Sequence, residues 1–198
     1  MNKLPPEMEN PMDNFLLKCS ARLLPGLKAT GHTPNIITTY SFLAGLGAVY
    51  ALWCGDLIGY CILIVFSYFC DCVDGQFARR YKMVTEFGDH YDHITDVLVI
   101  FLTVVVLCVR RGRERPLEIA TGLVVLSAMV IVCMGCQQRY TMQQNPDRPR
   151  ETIDQFQCFC RGENWIYTTR FVGTGTVLFL TLGFVAFVLR PLPMKKGA

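Results

Sequence analysis

The sequence predicts an all-α, polytopic bundle of five to six membrane-spanning helices preceded by an N-terminal helix at the membrane interface. Two observations carry this. Of 198 residues, 52% are hydrophobic and only 18% are charged, more apolar content than one water-soluble core of this size contains. Apolar runs also recur at spanning length, where a hydrocarbon core about 30 Å thick needs roughly 20 residues of helix. The charge balance excludes other classes: 19 Lys and Arg against 16 Asp and Glu leave +3, too little for a nucleic-acid surface. Intrinsic disorder is excluded by the same apolar content.

Taken in order, residues 1–10 carry Pro and Glu and read as a frayed tail. Phe15, Leu16, Leu17, Leu23 and Leu24 then alternate with Lys18 and Arg22 at helical spacing, which suits a helix lying on the membrane surface. The apolar run before Lys18 is too short for the core of a cleaved signal peptide, so the first span is expected to target the chain. Residues 1–32 thus form the tail and interfacial helix. Thr33-Pro34-Asn35 opens a membrane domain over 33–198.

Candidate spans cover 36–54, 57–70, 93–109, 117–136 and 171–189. The second is expected to continue as helix through Asp71 and Asp74 to about Ala78, because no Pro intervenes. The third is expected to start near Gly88, and the fifth near Trp165. Residues 139–163, with Asn145, Pro146, Pro149 and Gly162, read as a solvent loop. Cys61, Cys70, Cys72, Cys108, Cys133 and Cys136 lie in or beside apolar helix and read as reduced packing residues. Cys133, Cys136, Cys158 and Cys160 lack the surroundings of a zinc ribbon. Lys and Arg near the N-terminus, at Arg79, Arg80 and Lys82, and within 139–161 place the acidic helix ends on the cytoplasmic side, with Arg110, Arg111, Arg113 and Arg115 dissenting.

The chemistry concentrates at one boundary. Asp71 and Asp74 stand at i, i+3 on the second span, and Asp92 and Asp96 at i, i+4 on the third, so each pair shares a helix face. The turn between the spans folds the two faces toward one pocket. Four converging carboxylates repel unless cations are present. An oxygen-only donor set selects hard divalent ions, Mg2+ or Mn2+, and two such ions balance the charge. Gly75 and Ala78 clear the helix surface for a ligand, and Arg79 offers a bidentate phosphate contact. Together these features suit a nucleotide diphosphate.

Asp71, Asp74, Gly75, Ala78, Arg79, Gly88, Asp92 and Asp96 spell DxxDGxxAR, eight residues, then GxxxDxxxD, and this pattern resembles the signature of the CDP-alcohol phosphotransferases. The signature covers 26 residues with every defining position present, and the flanking spans and the Thr33-Pro34-Asn35 entry are also similar. The resemblance implies transfer of a substituted phosphate from a CDP-alcohol donor to a hydroxyl acceptor, with release of CMP and formation of a phospholipid or its precursor in phospholipid biosynthesis. It implies that Asp71, Asp74 and Asp92 hold the ions, that Asp96 completes the site and acts as base, and that Asp71, Gly75, Ala78 and Arg79 seat the nucleotide. Gly88 would then permit close packing, with Asn35 and Thr38 approaching the nucleotide.

The third span reads Asp92-His93-x-x-Asp96, which resembles the aminoalcohol phosphotransferases using CDP-choline or CDP-ethanolamine with diacylglycerol. The compact length instead resembles enzymes using CDP-diacylglycerol, the reading we favour. His93 and Arg170 are candidate acceptor contacts. The family often forms a homodimer, and the small residues Ser41, Ala44, Gly45 and Ala48 suit either that or packing within one subunit. A rival reading, a cation or proton transporter with the acids as a relay, leaves Gly75, Ala78 and Arg79 without a role.

Overall fold

The computed structural model describes residues 4–144, 152–160, 162 and 165–190, and among these every regular element is helical. Helix α1 (Pro11–Ala29) begins at Asn10, whose side chain accepts from the Met12 amide. Helix α2 (Pro34–Cys54) follows Thr33, whose hydroxyl accepts from the Ile36 amide. It ends at Gly55, whose φ of 88° is open to glycine without strain. Asp56 caps α3 (Leu57–Arg80) and Thr85 caps α4 (Glu86–Arg111), each through its side chain to a first-turn amide. Helix α5 (Pro116–Gln144) is followed by a 3₁₀ helix (Thr152–Phe159), then α6 (Trp165–Thr169), a 3₁₀ turn (Arg170–Val172) and α7 (Thr174–Leu189).

Among the described residues, five helical stretches are long and apolar enough to cross a bilayer: α2, α3, α4, α5 and Trp165–Leu189. Their exposed apolar side chains, including Ile58, Ile62, Val97, Ile100 and Val124, form the belt expected where lipid is the solvent. Inside the bundle, Ser41 and Ser67 exchange hydrogen bonds between α2 and α3. A Cβ on Gly45 would lie 3.1 Å from Val99 Cγ1 on α4. The small-residue stripe of α2 is therefore used within the subunit, where Ser41, Ala44 and Ala48 are buried.

The bundle has two ends. At one, Arg110 donates to the Leu52 and Trp53 carbonyls, Arg111 to Leu189, and Arg115 to Phe187 and Arg190. Three of the four dissenting arginines are thus satisfying the last carbonyls of α2 and α7, groups a helix leaves without intrahelical partners. At the other end, α1 lies across the acidic termini: Leu24 is buried with Ile37, Val73 and Phe77, and Ser20 donates to Gln76 Oε1 at 2.5 Å.

Three expectations are corrected. The segment from Leu4 to Asn10 is not frayed: Leu4 and Met8 are buried with Ile166, and Asn10 is fully buried. Residues 139–144 continue α5, and the following 3₁₀ helix folds back onto it, its Phe156 carbonyl occupying the place a Cβ on Gly135 would need. That fold-back brings the Cα atoms of Cys136 and Cys160 to 4.9 Å, and the two form a disulfide. Cys136 is therefore not a reduced packing thiol, and the pair is withdrawn from any cysteine metal set. The turn residues Asn145, Pro146 and Pro149, and the charges at Lys3, Arg161, Lys195 and Lys196, lie outside the described residues.

Candidate active site at the acidic end of the bundle

Helices α3 and α4 are joined by a short turn, 81–85, so the C-terminal part of α3 lies beside the N-terminal part of α4. Asp71, Asp74 and Asp92 each offer a carboxylate oxygen within 4.8 Å of the other two. The spacing along the chain achieves this: i, i+3 brings Asp71 and Asp74 onto one face, and the turn swings Asp92 opposite them. Asp74 is buried, Asp71 and Asp92 half-buried. Asp96, one turn further along α4, lies outside that group of three and is exposed.

The cluster is braced from α2. Thr38 Oγ1 donates to Asp74 Oδ2 at 2.6 Å, both residues being buried. Thr39 Oγ1 and the Tyr91 hydroxyl, 3.1 Å apart, tie α2 to α4 just before Asp92. Asp92 Oδ1 is buried and has no hydrogen-bond partner. A buried, unsatisfied carboxylate oxygen is costly. Three hard oxygen donors, one of them unsatisfied, fit a divalent cation.

Around the acids, the Arg79 guanidinium folds back over Gly75, its nitrogens 3.3 Å from where a Cβ would stand. Gly88 is half-buried on the first turn of α4, and a Cβ there would lie 3.1 Å from Asn35 Oδ1. Gly75 and Gly88 thus keep side-chain bulk away from the junction of α2, α3 and α4. His93 donates from Nδ1 to the Asp89 carbonyl at 2.7 Å, and His90 likewise to Glu86. Because a carbonyl only accepts, each neutral ring keeps Nε2 as an acceptor. Both rings lie along an open apolar groove of about 420 Å³ on one face of α4, lined also by Ile94, Val97, Leu98 and Phe101. The Arg170 guanidinium donates to the Glu7 carbonyl and lies 4.6 Å over the Phe171 ring.

Sequence reading missed one cluster beside this site. Asp13 on α1 is buried, accepts from the Tyr68 hydroxyl at 2.7 Å, and meets Thr174 and Gly175 at the start of α7. The available signal was an acid in the first turn of an amphipathic helix, which by itself also describes an ordinary solvated helix start.

A family model described as CDP-alcohol phosphatidyltransferase matches residues 31–189. An uncharacterized protein of Aquifex aeolicus (strain VF5) is 38% identical over 65 residues, a match covering 32% of this chain and 33% of that relative. No solved structure matches the chain.

Proposed function

The chain belongs to the CDP-alcohol phosphatidyltransferase family, and from that premise we propose that it transfers a phosphatidyl group from CDP-diacylglycerol to an alcohol hydroxyl, releasing CMP. The observation that carries this reading is the convergence of Asp71, Asp74 and Asp92 across the α3–α4 turn, beside the cleared surface at Gly75.

Asp71, Asp74 and Asp92 would hold Mg2+ or Mn2+, two ions in the full site with Asp96 completing the set. When bound, such ions stabilise charge on a diphosphate and its leaving group. The remaining work falls to side chains. Arg79, resting over Gly75, is placed to swing onto a phosphate, and Gly75 and Ala78 leave room for the nucleotide. Asp96 is exposed, outside the three-carboxylate group, and is therefore available as base. It takes the acceptor hydroxyl proton as the new oxygen–phosphorus bond forms and the bond to CMP breaks. The open apolar groove along α4 would let an acyl chain lie against this face from the bilayer.

A second reading, an aminoalcohol phosphotransferase using CDP-choline or CDP-ethanolamine with diacylglycerol, is favoured by His93. With Nδ1 turned to the Asp89 carbonyl, a neutral His93 ring would present Nε2 as an acceptor beside the groove, one residue from Asp92, where it would accept from an acceptor hydroxyl. We place the site on the cytoplasmic side by the Lys and Arg distribution, since the dissenting Arg110, Arg111 and Arg115 are engaged as helix caps. Against this placement stands the Cys136–Cys160 disulfide near the same end of α5, which favours an oxidising compartment.

The test is purified protein in lipid with Mg2+ and each donor: CDP-diacylglycerol with a panel of alcohols, and CDP-choline or CDP-ethanolamine with diacylglycerol. CMP release and a lipid product on thin-layer analysis are expected only with a matched pair. Ion flux without CMP release from any pair would favour a transporter and end the proposal.

A further inference from the structure

Helix α7 starts without a cap of its own, because its N-cap residue is Gly173 and no side chain there reaches the first-turn amides. Those amides need an acceptor. Asp13 supplies it from a distant part of the chain: Oδ2 accepts from the Gly175 amide at 3.3 Å and from Thr174 Oγ1 at 3.2 Å. The other oxygen accepts from the Tyr68 hydroxyl at 2.7 Å, and that hydroxyl lies 2.9 Å from Thr174 Oγ1. Asn10 adds a parallel tie, donating to the Arg170 carbonyl at 2.6 Å and to Thr176 Oγ1 at 2.9 Å.

The approach is close enough to require both glycines. A Cβ on Gly173 would stand 2.8 Å from Asn10 Cβ, and one on Gly175 would run into the Asp13 carboxylate. One buried carboxylate therefore joins the start of α1, the start of α7 and the middle of α3.

Tyr68 stands three residues before Asp71 on α3, so its hydroxyl anchors the turn that leads directly into the acidic cluster. Thr38 braces Asp74 from the α2 side. Without such braces, mutual repulsion among Asp71, Asp74 and Asp92 would favour α3 and α4 moving apart. A preassembled donor set binds its cation without that rearrangement.

We infer that Asp13 is a positioning residue, which through Tyr68 and Thr174 locks α3 to α1 and α7 and so keeps Asp71 in register for cation binding. This rests on the proposed reading of the acids as a divalent-cation site. It assigns the N-terminal helix a part in the site despite contributing no ligand to it.

The test is Mn2+ binding to the purified full chain, followed by paramagnetic resonance and independent of turnover. Tyr68→Phe removes only the hydroxyl, and Thr174→Val removes the second partner. Each is expected to raise the Mn2+ dissociation constant about ten-fold, the lower end for a residue acting through a metal ligand's neighbours. Thr174→Ser, which keeps the hydroxyl, should restore wild-type affinity. Arg115→Gln, which loosens the opposite end of α7, should lower the unfolding temperature and leave Mn2+ affinity unchanged. Wild-type affinity in both Tyr68→Phe and Thr174→Val would overturn the inference, as would equal weakening by Arg115→Gln. Absence of Mn2+ binding in the wild-type protein would instead sink the reading of the acids as a cation site.

Discussion

Thr38 Oγ1 donates to Asp74 Oδ2 across the α2–α3 interface at 2.6 Å, and both side chains are shielded from solvent. The bond fixes one carboxylate oxygen and leaves the other for a cation. Thr38→Val keeps the side-chain shape and removes the donor. Mn2+ affinity is expected to fall about ten-fold, whereas Thr38→Ser should bind as the wild type does. A titration of the three proteins checks this, and unchanged affinity in Thr38→Val would show the bond to be structural only.

Asp96 differs from its neighbours in lying outside the group formed by Asp71, Asp74 and Asp92. Asp96→Asn is expected to lower turnover by about 10² to 10⁴, the usual range for removing a general base, with Mn2+ binding retained for the ion held by Asp71, Asp74 and Asp92 and weakened for the second. Asp92→Asn should lose both. Measuring CMP release and Mn2+ binding on the same samples separates the two roles. Undiminished CMP release in Asp96→Asn would remove the proposed base.

The spans and the acidic cluster were legible because each rests on local pattern. Apolar length gave the five spans, and fixed spacings put Asp71, Asp74 and Asp92 on facing surfaces. The missed features depend on residues far apart in the chain. Asp13 meets Gly175 across 162 positions, and Cys136 meets Cys160 only because the 3₁₀ helix turns back along α5. Leu4 and Met8 looked like tail residues, since their partner Ile166 lies near the other terminus. No periodicity encodes such contacts.

The Cys136–Cys160 disulfide closes a loop with a sequence separation of 24 and pins the 3₁₀ helix to α5. By chain entropy, a loop of this length contributes about 3.5 kcal/mol. Reductant is therefore expected to lower the unfolding temperature of the wild-type protein in detergent. Cys136→Ser should unfold at the lower temperature with or without reductant. A reductant effect of equal size in Cys136→Ser would show that it acts elsewhere.

Burial raises the Asp13 carboxyl above its ordinary value of 3.8, against the opposing hydrogen bonds from Tyr68, Gly175 and Thr174. The folded chain thus holds this proton more tightly than the unfolded chain. The contribution of Asp13 to stability is greatest below 3.8 and falls as pH rises through the interval up to its folded value. Asp13→Asn, which cannot ionise, should flatten the dependence over that interval. Denaturant unfolding at a series of pH values checks this, and an unaltered slope in Asp13→Asn would assign the effect to another group.

Native cysteines report which way the bundle faces. Cys54 is exposed at the end where Arg110, Arg111 and Arg115 cap α2 and α7, and Cys158 is exposed on the 3₁₀ helix at the acidic end. If the acidic end is cytoplasmic, a membrane-impermeant maleimide added to intact cells expressing the chain should modify Cys54 and spare Cys158. Permeabilisation should then open Cys158 to the reagent. Peptide mass analysis distinguishes the two sites, and Cys54→Ser confirms the first. The three capping arginines would sit on the outer side in this orientation, which the charge rule disfavours for free loop cations. Each is instead held against helix carbonyls, so the remaining Lys and Arg, including Lys18, Arg22, Arg79 and Arg80, should set the orientation. Modification of Cys158 alone before permeabilisation would reverse the proposed side while leaving the geometry of the acidic cluster unchanged.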